Sequence, residues 1–204
     1  MQFDTEQLAS GRVVFPGVDE AERRVDYVYG AVLRLSELAS GDLTFPGKLP
    51  QELVPFRERV VKAAESAEAA LDDDLNSPVA LAAMGEMAQA ANEACDLAKR
   101  KKKDARVQGG VALFGRLALR AIANLAGDLG LLQATPEEYF ERVKLRRMAL
   151  RGLTAEAIEA KVSGRAEARK NKDFAAGDAL RDELLALGVT LMDTPTSTEW
   201  SITQ

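Results

Sequence analysis

The sequence predicts a mainly α protein: an antiparallel helical bundle followed by a small α+β unit that ends in a short β-hairpin. Three observations predict it. Ala and Leu dominate the 204 residues while aromatics supply only 5%, a composition that favours helices over sheets. Apolar residues recur three and four apart over long stretches of the first two-thirds of the chain. After Gly130 the segments shorten, and the last of them alternates like a strand. The expected boundaries are 1–134 for the bundle and 135–204 for the second unit.

Residues 1–17 read as loop, because Gly11, Pro16 and Gly17 discourage regular structure. From about Asp19 to Ala39, Val25, Val28, Val32, Leu35 and Leu38 form a helical stripe. Gly41 to Pro50 breaks it, and a second helix follows over roughly 50–71 with Leu53, Phe56, Val60, Ala64, Ala67 and Leu71 on one face. In the next segment Ser77 is the expected cap and Pro78 the first helical residue, where a missing N–H costs nothing. The third helix is expected over 78–105, ended by Gly109-Gly110, and the fourth over 111–127 with Leu113, Leu117, Leu119, Ile122 and Leu125. Four long helices on short connections fold most simply as an antiparallel bundle.

In the second unit Thr135-Pro136-Glu137-Glu138 is a capping box that starts a helix to about Leu150. Gly152 separates it from a helix near 154–170, and a third runs from Lys172 to Leu187, closed by Gly188. Val189–Asp193 then alternates as a strand, Thr194–Ser197 turns, and Glu199–Ile202 returns as its partner.

Composition excludes several chemistries. There is no histidine and one cysteine, Cys95, so zinc has no plausible ligand set and no Ser-His-Asp or Cys-His nucleophile exists. No Gly-rich loop follows a predicted strand, so no nucleotide phosphate is cradled in the usual way. The acidic triplet Asp72–Asp74 lacks the Gly and distal Glu of a calcium loop. Neither a metal nor a cofactor is expected. No apolar run approaches 18 residues and the N-terminus lacks the features of a signal peptide. A lone cysteine suits a reducing compartment, so the expected location is the cytoplasm.

The net charge of −5 argues mildly against a general nucleic-acid binder, but its distribution does not. Residues 142–172 carry ten basic side chains against Glu156, Glu159 and Glu167, a local charge of +7. Lys99–Arg106 holds a second excess of +5. A solvated helix face accounts for the latter as well as a binding patch does.

Residues 165–184 resemble the C-terminal anticodon-binding region of bacterial cysteinyl-tRNA synthetases, and Gly188–Pro195 with Thr198-Glu199-Trp200 continue that pattern in register. Asp178-Ala179-Leu180-Arg181 spells the tetrapeptide that names a synthetase helical-domain superfamily. Asp72–Leu81 resembles the acidic, Asn-Ser/Thr-Pro helix start of the same enzymes, Leu129–Leu132 a turn before their last unit, and Phe3-Asp4 with Leu8 the start of their bundle. The likeness is closest over 155–204, looser over 70–135 and faint over 1–70. The enzymes' His-containing signature and zinc site cannot be present, and Lys99–Lys103, expected inside a helix, lacks the Lys-Met-Ser-Lys-Ser form. The expectation is a chain that starts where a catalytic half stops and performs no chemistry alone.

The resemblance implies tRNA as the partner, tRNA-Cys in particular, with a separate catalytic half or another protein as further partners. Unpaired bases are read by stacking and edge hydrogen bonds, with cations on the backbone. Carried over, Asp178 and Asp193 are acceptors for base amino and imino groups, and Phe174 stands where the family often has a stacking tryptophan. Arg169 contacts a base or phosphate, Arg165 lies a turn earlier on the same face, and Arg147, Lys161, Lys170 and Lys172 face the backbone. Each has a plainer reading. Phe174 serves equally as core, Asp178 as a partner for Arg181, Asp193 as a turn residue and Trp200 as packing. Ser197 replaces a glycine common in the family's final turn. The competing reading of the whole is a repurposed synthetase segment whose bundle docks onto another protein.

Overall fold

Small side chains decide the centre of the first unit. Its four helices are α1 (Pro16–Ala39), α2 (Val54–Asp72), α3 (Ser77–Arg100) and α4 (Ala105–Asp128). α3 buries Ala80, Ala83, Ala88, Ala91, Ala94 and Ala98. It packs against all three of the others, because alanine lets neighbouring backbones approach while removing little rotamer freedom. Met84, Met87 and Cys95 fill what remains. Burial pushes the Cys95 thiol above its usual range, so it behaves as a small apolar residue. Connections of four residues, 73–76 and 101–104, reverse the chain between α2, α3 and α4.

The structure is a computed structural model that describes residues 5–7, 13–40, 48–193 and 197–202. By contacts the chain divides into two units, Met1–Pro136 and Glu137–Gln204.

Several helix ends differ from expectation. The cap of α3 is Asn76, whose side chain accepts from the Val79 N–H, so Ser77 and Pro78 are already helical. α3 stops at Arg100 rather than near 105, and Lys101–Lys103 form a turn, not a helix. Asp104 starts α4 by accepting from Arg106 and Val107 at 3.0 and 3.2 Å, a stronger local signal than the glycines that follow. Gly109-Gly110 therefore lies inside α4 and ends nothing. A Cβ on Gly110 would sit 2.4 Å from Pro50 Cδ and 2.9 Å from Leu53 Cδ1. The glycine is there so that α4 can pass close to the 3₁₀ turn Gln51–Leu53.

The stripe of α4 is rotated from expectation, because burial follows the helix period rather than side-chain size, while that of α1 holds except at Val25. α4 buries Val107, Val111, Phe114, Ala118, Ile122 and Leu125, whereas Leu113 and Leu117 are exposed. On α1, Val28 and Leu35 are buried and Val25 is exposed. By length and composition alone α4 could cross a membrane, yet half of its most apolar window is buried, as befits a core helix. Before α1, β1 (Glu6–Gln7) pairs antiparallel with β2 (Val13–Val14), where loop was expected. The expected bundle start at Phe3, Asp4 and Leu8, and Gly41, lie outside the described residues.

In the second unit, α5 (Pro136–Leu150), α6 (Ala155–Lys170) and α7 (Phe174–Ala186) precede the hairpin β3 (Val189–Asp193) and β4 (Thr198–Ile202). Thr154 caps α6 and Asp173 caps α7 through the Ala157 and Ala176 amides, so α7 begins two residues later than expected. Gly152 and Gly188 take φ of +63° and +75° at the ends of α5 and α7, conformations that cost glycine nothing. The strands pair with Val189 opposite Ile202 and Leu191 opposite Trp200. Met148, Ile158, Val162, Leu184, Val189 and Ile202 form the core. Thr194–Thr196 of the expected turn lie outside the described residues.

Candidate nucleic-acid interface

The α6–α7 hairpin closes on two glycines. A Cβ at Gly177 would meet Arg169 Cγ at 3.2 Å, and one at Gly164 would meet Leu180 Cδ1 at 3.4 Å. The stem of Arg169 thus lies across the face of α7, and its guanidinium is carried toward the end of β3.

There Asp193 gathers donors from two elements, α6 and β4. Arg165 Nη1 and Nη2 donate to its two carboxylate oxygens, each at 2.9 Å. Thr198 Oγ1 donates at 2.8 Å and Arg169 Nη1 at 3.4 Å. The fork-on-fork pair is the strong form of this interaction. Hydrogen bonds from Arg165 and then Thr198 hold the Asp193 carboxyl far below the usual carboxylate range. Arg165 is only 6% exposed, and the bond to Asp193 raises its guanidinium further against the opposing pull of burial. Asp178 also acts on Arg165 through its charge, more weakly than Asp193 does.

Their circumstances differ. A carboxylate offers about four lone-pair sites, and all four on Asp193 face donors of this chain. Asp178 is exposed and, among the described residues, makes no side-chain hydrogen bond or ion pair; the pair with Arg181 does not form. Phe174 is 59% exposed and lies one turn before Asp178 on the same face of α7. It is absent from the core, which removes the plainer reading of that residue. Lys170 and Lys172 are exposed at the α6–α7 turn, where Lys172 takes a φ of +60°. One corner therefore combines an aromatic plane, an available acceptor and several cations.

The other two basic candidates, Arg147 and Lys161, are tied inward. Arg147 Nη1 donates to the Ile202 carbonyl at 3.1 Å, fastening β4 to α5. Lys161 pairs with Glu183 and so bridges α6 and α7. Trp200 is half-buried against the core. Its Nε1 donates to Glu159 at 2.6 Å and the Lys144 ammonium stands 3.8 Å from its ring centroid. Thr198 and Gly177 were not singled out by sequence reasoning. Gly177 carried a signal, a lone glycine inside a helical run; Thr198 carried none, because its role exists only across the hairpin. Among the described residues no three His, Cys, Asp or Glu side chains gather as a metal site.

Against known proteins, residues 150–200 match the family model of the cysteinyl-tRNA ligase anticodon binding domain. Residues 67–133 match that of the DALR domain. The Asp178–Arg181 tetrapeptide lies in the first match and outside the second, so it does not mark the DALR domain of this chain. A cysteine–tRNA ligase of Anaeromyxobacter sp. (strain Fw109-5) is 39% identical over 183 residues, 90% of this chain and 34% of that protein. One from Maridesulfovibrio salexigens is 31% identical, covering 92% of this chain and 37% of its own length. The chloroplastic/mitochondrial cysteine–tRNA ligase of Arabidopsis thaliana is 32% identical over 90% of this chain and 31% of its own. The chain spans about a third of the length of these curated relatives, and it resembles their C-terminal helical-bundle and anticodon-binding region.

Proposed function

We propose that this chain is a tRNA-recognition module that reads the anticodon of tRNA-Cys with the corner formed by α6, α7 and the end of β3. The observation that carries the reading is the exposed Phe174 set one helical turn before the unengaged Asp178, inside the segment that matches an anticodon-binding domain. Phe174 stacks on an unpaired base, and Asp178 accepts hydrogen bonds from a cytosine amino group or a guanine N1/N2 edge. Arg169, half-exposed and bonded to Asp193 through one nitrogen only, contacts a base or phosphate with the rest of its fork. Arg165 and Asp193 are positioning residues. Their bidentate pair, buried on the Arg165 side and half-exposed on the Asp193 side, sets where Arg169 stands, and Asp193 has no lone pair left for a base. Lys170 and Lys172 hold the RNA backbone, with Arg147 and Lys161 contributing positive potential from their inward-tied positions. The module performs no chemistry of its own; it places tRNA for cysteine attachment on a catalytic domain of the kind its relatives' names describe.

The test is an anisotropy titration of the chain with tRNA-Cys and with an unrelated tRNA at low salt. A clear preference for tRNA-Cys is expected, and Phe174→Ala should weaken binding of the anticodon stem-loop by about 1–3 kcal/mol, the usual worth of a base–aromatic stack. Equal affinity for both tRNAs would reject anticodon reading, and binding of neither would favour a protein-docking role.

A further inference from the structure

The turn between α3 and α4 is held by more groups than a simple connection needs. Gln108 Nε2 donates to the Ala98 and Lys101 carbonyls at 2.9 and 3.1 Å, closing the end of α3. Asp104 is committed to the first amides of α4. Glu52, reaching over from the 3₁₀ turn, accepts from Lys101 Nζ at 3.0 Å and from Arg106 Nη2 at 2.9 Å. Its own backbone N–H and the Lys101 ammonium lower its pKa to about 2, so it stays charged.

On this braced corner four cations, Lys99, Arg100, Lys102 and Lys103, are exposed, and none is in an ion pair among the described residues. Lys99 and Arg100 complement the negative end of α3. Lys102 and Lys103 lie beyond the helix, where the dipole gives them no such role. In a chain of net charge −5, clustering like charges this closely costs energy unless something outside neutralises them. No large apolar side chain between Leu81 and Leu113 is exposed, so the corner has no wedge to enter a lipid surface. Nor does it hold an exposed aromatic or an unengaged carboxylate that could tell one base from another.

We propose that this corner of the bundle is a second contact for RNA, one that takes backbone phosphates without regard to sequence and is separate in kind from the α6–α7 corner. It rests on the RNA-binding reading of the chain, but not on anticodon recognition. Regularly spaced phosphates neutralise such a cluster and release their condensed counter-ions.

The experiment uses the full chain with an RNA duplex of about 20 base pairs lacking any loop, and an anticodon stem-loop, each titrated between about 50 and 200 mM KCl. For Lys102→Ala/Lys103→Ala, duplex affinity should fall roughly three- to tenfold at the low-salt end, and the log–log salt slope should flatten by about 1–2. Lys102→Arg/Lys103→Arg should keep both, and Phe174→Ala should weaken the stem-loop alone. An unchanged duplex affinity in the alanine pair overturns the proposal, as does a wild type that fails to bind duplex. Tighter binding to phosphatidylserine-containing vesicles than to RNA, lost in the same variant, also overturns it and assigns the corner to a membrane. Duplex binding that depends on Lys102 and Lys103 while the stem-loop goes unrecognised supports this corner and rejects the anticodon reading, so the two failures are distinguishable.

Discussion

Asp193 and Asp178 are the same residue type with opposite fates, and the neighbours decide which. Asp193 meets a buried guanidinium that cannot lose its proton, so the acid must stay ionised to match it; Asp178 meets water. The consequence is a stability that depends on acid. A carboxylate whose folded pKa lies below its unfolded value of about 3.9 contributes fully above that value and loses the contribution as pH falls through the folded one. The second unit should therefore weaken below about pH 4, and Asp193→Asn should flatten that dependence while costing about 1 kcal/mol at neutral pH, a figure discounted because the carboxylate is half-exposed. Trp200 is the single tryptophan and lies in that unit, so its fluorescence in urea at several pH values reads the effect without interference from Glu52 in the other. An Asp193→Asn curve parallel to the wild type between about pH 4 and 2 would refute the clamp.

At the level of elements, glycine has two meanings in this chain that composition cannot separate. Gly110 lies inside α4 because the 3₁₀ turn presses against it. Gly85 lies inside α3 with nothing within 4 Å of where a Cβ would be. Gly110→Ala should destabilise the bundle by about 1–3 kcal/mol, since Pro50 and Leu53 must shift. Gly85→Ala should stabilise it by roughly 0.4–1 kcal/mol through a less disordered unfolded chain. Chemical denaturation of the two variants checks both signs; a harmless Gly110→Ala would mean the close approach of α4 to Pro50 is absent. The same contrast explains the misplaced helix end. Asp104 with two amides to cap was the real signal, and Gly110 was a packing feature that looked like punctuation.

For the molecule as a whole, two units of unequal core share one chain. The first buries residues from four long helices, whereas six buried apolar residues centre the second. Small domains bury a smaller fraction of their surface and are correspondingly marginal. Hydrogen exchange should accordingly be slowest at amides of α3 and α4 and faster by about one to two orders of magnitude in α6, α7 and β3; equal protection in both would contradict the difference in core size. Bound RNA that contacts α6 and α7 should slow exchange there most. The seven helices in their order and the hairpin at the end were legible from the sequence, though not the short β1–β2 pair, because periodicity, caps and turn residues act within a few positions of one another. The family likeness was legible too, since the segment 165–200 carries it in contiguous residues. Only the tertiary structure decided which face of α4 is buried, that Gly110 is a point of contact, that Phe174 is exposed, and that Asp193 is spent on Arg165 while Asp178 is not. Each of those depends on a partner far away in the chain, and no local pattern encodes the distance at which two distant side chains meet.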